Sequence, residues 1–310
     1  MPNGNVGVHE REYGQAARQR GNGKVGYTMK AAELYDHLEH DFISEGLWDR
    51  WAEHMGEIEG YLSPNFIKRS MGLVCDFATD VNKVYSAVFP SEDVMGRVLA
   101  EGATDAMLFV HHAAVWDIRR PSAFYQMDRK SLERLKGNRV SVYNLHVPLD
   151  DFGEYSTTKT LADALGIEVE RPFFDYCGAL AGIIGRIGCR SVEELHRVFS
   201  ETLGHQTRLY PYGDSVIPDG RVAVVAGGGN DLAVVSEMLE NNVKTLVTGI
   251  TANNDVSAKV HAFEQKSRIN VLGGTHYSTE KFACIKMCAY FERLELPSVF
   301  IEEEPLFEDM

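Results

Sequence analysis

Short, unbroken apolar runs alternate with stretches of helical periodicity from residue 71 onward, and this restricts the possible folds more than any other feature of the chain. A run such as Ala106-Met-Leu-Phe-Val110 has no polar face, so as a strand it must be buried on both sides. Burying both sides requires helices above and below a sheet, and the periodic stretches supply them. The runs predict strands at Met71–Cys75, Val84–Val88, Ala106–Val110, Val140–Leu145, Arg221–Ala226, Thr245–Thr248, Asn270–Leu272 and Ser298–Ile301. Helices are predicted after Pro90 up to Gly102, over Lys130–Lys136, Thr158–Leu165, Asn230–Glu240, Val256–Phe263 and Thr279–Phe291. Another helix opens at Ser191-Val-Glu-Glu194, a capping-box sequence. The fold class is therefore α/β.

The ends read differently. Residues 1–27 are glycine-rich and aperiodic, and are expected to be a disordered tail. Apolar residues then recur at helical spacing through Trp51, which predicts one or two amphipathic helices with Thr28 as N-cap. Residues 84–103 echo 224–243 in apolar pattern, with Val84, Val94 and Leu99 matched by Val224, Val234 and Leu239. Any two strand–helix–strand units share such a pattern. The sharper reading is two related α/β lobes with a site between them.

Composition removes several functions. Asp and Glu number 45 against 31 Lys and Arg, a net charge of -14, which disfavours broad binding to nucleic acid or to anionic membranes. No stretch approaches the roughly 18 apolar residues of a spanning helix, and no apolar leader is visible. Five scattered cysteines make no disulfide framework, so a cytoplasmic location is expected.

Three clusters carry chemistry. His111-His112 follows the apolar run 106–110, where strand ends of α/β sheets line ligand crevices. His146-Val-Pro-Leu-Asp150 follows another predicted strand, with Pro148 fixing the turn. His276-Tyr-Ser-Thr-Glu280 follows a third, and its i, i+4 spacing puts both side chains on one helix face. Each alone has a plain structural explanation. Together His111, His112, Asp150, His276 and Glu280, with His146 in reserve, are about the set that a dinuclear site needs. Imidazole with carboxylate suits Zn, Mn or Fe. Gly227-Gly228-Gly229-Asn230 reads as a tight turn, with a phosphate contact as the functional alternative. Cys284 and Cys288 read as core, Trp116-Asp117 and Arg119-Arg120 as pocket or solvated loop, and Glu302–Glu304 with Asp309 as a solvated tail.

The segments MLFVHHAAVWD, VYNLHVPLDD followed by LADALGI, VAGGGND, LVTG and GGTHYSTE resemble, in order, the Nif-three-like family, the GTP cyclohydrolase I type 2 homologs. The resemblance covers about residues 68–305. It implies two α/β lobes (about 28–155 plus 270–310, and 156–269) with a dinuclear site of two divalent ions in the cleft between them. The implied ligands are His111, His112, Asp150, His276 and Glu280, with His146 beside them. It also implies a toroidal homohexamer. The 126 residues between Asp150 and His276 resemble the family's short form, without an inserted domain. Departures are Ala113, where the family usually has proline, and Ile250, where it commonly has glutamate.

The expected function is a dinuclear metal-dependent hydrolase acting on a small molecule, a nucleotide being the class the resemblance implies. The family's cyclohydrolase chemistry would open a guanine imidazole ring with metal-activated water, His146 donating a proton to the leaving nitrogen. The alternatives are a metal-dependent phosphoesterase and a non-enzymatic metal-binding or interaction protein.

Overall fold

The structure, a computed structural model, describes residues 28–310, so the expected tail at 1–27 lies outside the described residues. The fully apolar runs became strands of two separate sheets. In the five-stranded sheet the order is Ser298–Phe300, Val84–Ala87, Ala106–Val110, Val140–Asn144 and Gly72–Cys75. Its first four strands are parallel and Gly72–Cys75 closes the edge antiparallel. The six-stranded sheet runs Arg208–Tyr210, Asn270–Gly273, Thr245–Thr248, Arg221–Val225, Ala179–Arg186 and Glu168–Tyr176. Only its three middle pairing partners, Asn270–Gly273, Thr245–Thr248 and Arg221–Val225, are parallel. Among the described residues no helix is long and apolar enough to cross a membrane.

The predicted boundaries hold to within a few residues because side-chain caps fix the helix starts. Ser91 accepts a hydrogen bond from the Val94 N–H, and Asp128 accepts one from Ser131. Ser191 likewise caps Val192–Leu203, while the Glu194 carboxylate reaches the Arg190 N–H. Both echoing segments open parallel strand–helix–strand units. Val84–Ala87 pairs with Ala106–Val110, and Arg221–Val225 with Thr245–Thr248.

Four expectations are corrected. The hairpin Glu168–Tyr176 with Ala179–Arg186 was not foreseen. Its outer strand is mostly solvent-facing and carries Pro172, which an edge strand tolerates, so it lacks an apolar run. Asn270–Gly273 pairs with Thr245–Thr248, so it belongs to the second sheet, not with the first lobe as the boundary at 270 supposed. Thr28 caps nothing: Lys30 occupies the N-cap of Ala31–Phe42, and Trp51 starts a separate short 3-10 turn. Asp309 is fully buried and Glu303 accepts from the Phe89 N–H, so the acidic end is not all solvated tail, though Glu302 and Glu304 are exposed as expected.

The helix His276–Arg293 joins the two halves. It begins just past the second sheet, yet Ala283, Met287, Tyr290 and Phe291 enter the core beneath the first. Phe282 packs against the core of the second. Its N-terminal turn therefore sits where the carboxyl ends of strands from both sheets meet.

Candidate metal centre

Each candidate side chain is set by a strand or helix terminus. His111 and His112 leave the strand Ala106–Val110 with their backbone N–H groups still bonded to the Ala87 and Val88 carbonyls. The Asn144 amide donates to the His111 carbonyl. His146 precedes the short helix Val147–Asp150, which carries Asp150. His276 and Glu280 occupy the first turns of His276–Arg293, started by a reciprocal Thr275/Ser278 capping box. The clusters at 111–112 and 146–150 share one sheet, as expected. The third arrives from the other sheet, so the site lies between two sheets.

Glu280 is the hub. Its Oε1 lies 3.2 Å from His276 Nε2 and 3.6 Å from His111 Nε2, and its Oε2 lies 3.0 Å from His112 Nε2. Asp150 Oδ1 is 3.6 Å from His111 Nε2 and accepts the Thr157 hydroxyl at 2.7 Å. Its Oδ2 is 3.8 Å from His146 Nε2. The His111, His112, His146, His276 and Glu280 side chains are all nearly inaccessible to solvent, and Asp150 is 13% exposed.

Buried polar atoms are normally hydrogen-bonded. Here the His111 Nδ1–H donates to the Leu145 carbonyl at 2.9 Å, while Nε2 has no hydrogen-bond partner. The His112 and His276 Nδ1 atoms also lack partners. Two groups have ligand atoms close enough to hold an ion: His111, His112 and His146, and His112, His276 and Glu280.

Electrostatics follow from this packing. Burial opposes the charge on Glu280, but His276, His112 and His111 outweigh it and hold its carboxyl well below the usual range. Burial likewise opposes protonation of His111, yet Glu280 and Asp150 raise it to about 9. Burial pushes His112 well below its ordinary value and pushes Asp150 up.

Aromatic rings wall the cluster. Phe89 stacks on His112 at 4.8 Å between centroids, and Trp116 meets His276 edge-on at 4.9 Å. Trp51 stands 5.2 Å from His146 and 4.7 Å from Phe124. Beyond Trp51 and Phe124 opens a cavity of about 520 Å³, lined also by Asp49, Arg50, His54 and Ser122.

Several participants were missed from sequence. Asp49 and Trp51 touch His146 from a segment read as helix; the signal was Trp48-Asp49-Arg50-Trp51, which holds two of the chain's three tryptophans. Asp309 accepts from the Trp116 indole and from the His276 backbone N–H, both at 2.8 Å. Gly227 packs on Glu280 itself, so the glycine loop is a turn shaped by close approach. Its φ is +66°, and a Cβ there would lie 2.1 Å from Glu280 Oε1. Cys284 is core, as expected.

Fold and site define an α/β protein of two sheets with a buried histidine–carboxylate cluster at their junction, of a composition that could hold metal. The chain belongs to the Duf34/NIF3 (NGG1p interacting factor 3) family, whose profile matches residues 65–305. It is 28% identical over 212 residues to the GTP cyclohydrolase 1 type 2 homolog of Borreliella burgdorferi, covering 68% of this chain and 79% of that one. With the homolog of Pyrococcus horikoshii it shares 26% over 238 residues, 76% and 90% of the two chains. Among solved structures, protein ybgI, described as of unknown function, superposes with a TM-score of 0.70 at 21% identity, covering 90% of this chain and all of that one (100%). Reduced HcgD from Methanocaldococcus jannaschii gives 0.65 at 21%, with 89% and 99% covered. These two establish the likeness of fold.

Proposed function

We propose that the protein is a dinuclear metal-dependent hydrolase whose ions are held by His111, His112, Asp150, His276 and Glu280, with His146 as a further ligand. The observation that carries the reading is that three buried imidazoles, each with an unpartnered ring nitrogen, converge on one ionised carboxylate. Left without an ion, such atoms are costly, about 1–3 kcal/mol for each unmade bond. Zn, Fe or Mn suits this donor set.

When bound, the ions would supply Lewis acidity and lower the pKa of a water toward neutrality. The protein's own groups do the rest. Glu280 presents one oxygen to His111 and His276 and the other to His112, so both oxygens face donor nitrogens of the residues that would hold the ions. Thr157 orients Asp150. The Phe89, Trp51, Trp116 and Phe124 rings exclude bulk water, which strengthens every charge interaction inside. Asp150 and Glu280 bring -2 against the +4 of two divalent ions, a local balance of about +2. An anionic substrate would thereby be accommodated in an acidic protein, and the 520 Å³ cavity behind Trp51 and Phe124, which none of these ligands lines, has the size of a small-molecule site. We assign His146 to the ligands in place of the proton-donor role, because its Nδ1 is engaged by Asp49 and only Nε2 faces Asp150.

The ring-opening cyclohydrolase activity named for the relatives is the first reaction to test on this chain. The protein is to be metal-loaded, its metal content measured by elemental analysis, and formate release from GTP followed. About two ions per chain and formate release abolished in His112→Ala are expected. Two ions without turnover of GTP, but with turnover of phosphate esters, would move the reading to a phosphoesterase. Absence of bound metal would refute it. The hexamer and the division into two lobes complete the proposal, and light scattering checks the former.

A further inference from the structure

His146 Nδ1 has two incompatible neighbours. The Asp49 carboxylate lies 2.7 Å away and can only accept, so it requires a proton on Nδ1. The Trp51 indole N–H lies 3.0 Å away and can only donate, so it requires a lone pair on the same atom. One nitrogen cannot satisfy both, and the tautomer follows from which partner wins. The bond to a charged carboxylate is the shorter and the stronger kind. With Asp49 in place the proton stays on Nδ1, and Nε2, 3.8 Å from Asp150 Oδ2, keeps its lone pair toward the cluster. Without Asp49, the Trp51 N–H takes the Nδ1 lone pair and the ring proton moves to Nε2, where it blocks coordination.

We propose that Asp49 is a positioning residue that, working against Trp51, sets the His146 tautomer so that Nε2 can bind a metal ion. Both residues precede the family-matched span, 65–305, so the device is carried by this chain's own N-terminal segment. The segment is anchored for the purpose. The Trp48 N–H donates to the Cys177 carbonyl, and the Ala52 N–H to the Ser70 hydroxyl. At the hairpin tip Gly178, with φ +86°, approaches so closely that a Cβ would lie 2.5 Å from the Gly46 carbonyl oxygen. Asp49 and Trp51 are thus delivered by packing against both halves of the molecule.

The proposal rests on the metal-site reading, and two measurements separate their failures. The first is the tautomer of His146 in metal-free protein, read from the side-chain nitrogen shifts by long-range proton–nitrogen NMR. Wild type should show the proton on Nδ1, Asp49→Ala should show it on Nε2, and Asp49→Glu should restore the wild-type signal. The second is Zn2+ affinity by competition with a chelating dye. Loss of such an outer hydrogen bond typically weakens metal binding about 10–100-fold, and Asp49→Ala should fall in that range. Adding Trp51→Phe to Asp49→Ala should recover most of the loss, because no donor then holds the wrong tautomer. A purely structural role for Asp49 predicts the opposite, a double variant at least as impaired as the single one. A proton on Nε2 in wild type, unchanged affinity in Asp49→Ala, or no recovery in the double variant overturns the proposal. Failure of wild type to bind Zn2+ would overturn the metal reading, while the tautomer measurement would still decide the role of Asp49.

Discussion

Gly227→Ala is the most informative single substitution in this protein, because one methyl group meets the hub of the cluster. The backbone there is left-handed, φ +66°, which costs a residue with a Cβ about 1–2 kcal/mol. The new Cβ would lie 2.1 Å from Glu280 Oε1, where real contacts are not found below 3.0 Å, so the carboxylate must retreat by at least 0.9 Å (3.0 minus 2.1). Escape by moving the loop is closed off. The Gly227 N–H is held by the Thr279 hydroxyl at 3.0 Å, and its carbonyl accepts from the N–H groups of Gly249 and Ile250. Such a retreat disrupts the 3.2 Å contact with His276 and the 3.6 Å approach to His111. Functional groups must be held within about 0.5 Å of their working geometry. We therefore expect Zn2+ affinity to fall about 10–100-fold, the range for losing a ligand's support. The melting temperature should fall by about 2–8 °C, from 1–2 kcal/mol at about 2–4 °C each. Gly228→Ala is the control: a Cβ at Gly228 meets nothing within 4 Å, and its φ is not positive. Calorimetric titration with Zn2+ and thermal melts of both variants decide the matter. Wild-type affinity in Gly227→Ala, or equal losses in both variants, would refute the reasoning.

Further outcomes are expected. Asp309→Ala orphans a buried donor, the His276 backbone N–H, at about 1–3 kcal/mol, and a half-buried one, the Trp116 indole N–H, at less; a melting temperature unchanged from wild type would remove Asp309 from the framework of the site. Metal uptake should release protons at pH 8, because His111, raised to about 9, is protonated in the metal-free site and must be neutral to coordinate. Calorimetry in two buffers of different ionisation enthalpy measures that release. In the metal-free protein the same group contributes stability that is complete below about pH 6.5 and lost as pH rises through about 9. Glu264 is fully buried with neither oxygen hydrogen-bonded, His261 Nδ1 lying 3.3 Å from Oε2, and burial raises its carboxyl to about 7. The unfolded chain gives up that proton near the ordinary 4.5 while the folded one keeps it, so the group erodes stability as pH climbs from 4.5 to 7. Glu264→Gln should accordingly raise the melting temperature more at pH 8 than at pH 5, and an equal change at both would contradict the assignment.

The unbroken apolar run at 106–110 announced a strand buried on both faces, because helices above and below it favour apolar side chains on each. The same logic marked His111, His112 and His146 at strand exits, and helical spacing paired His276 with Glu280. Period and composition therefore determined the α/β class and the residue types of the site. They were silent on the outer strand 168–176, since a solvent-facing edge strand has no apolar signature, whereas the buried inner strand 179–186 carries an apolar run, interrupted by Gly182 and Gly185, that went unread. Which sheet supplies His276 was decided by long-range pairing of Asn270–Gly273 with Thr245–Thr248, an interaction no local pattern encodes. Asp49, Trp51, Gly227 and Asp309 belong to the site only because packing brings distant segments against it. His146 lies 97 positions from Asp49, and Asp309 lies 33 beyond His276. Local sequence sets what each side chain can donate, accept or bury; the tertiary structure sets which partner it meets, and at His146 that meeting decides where a single proton resides.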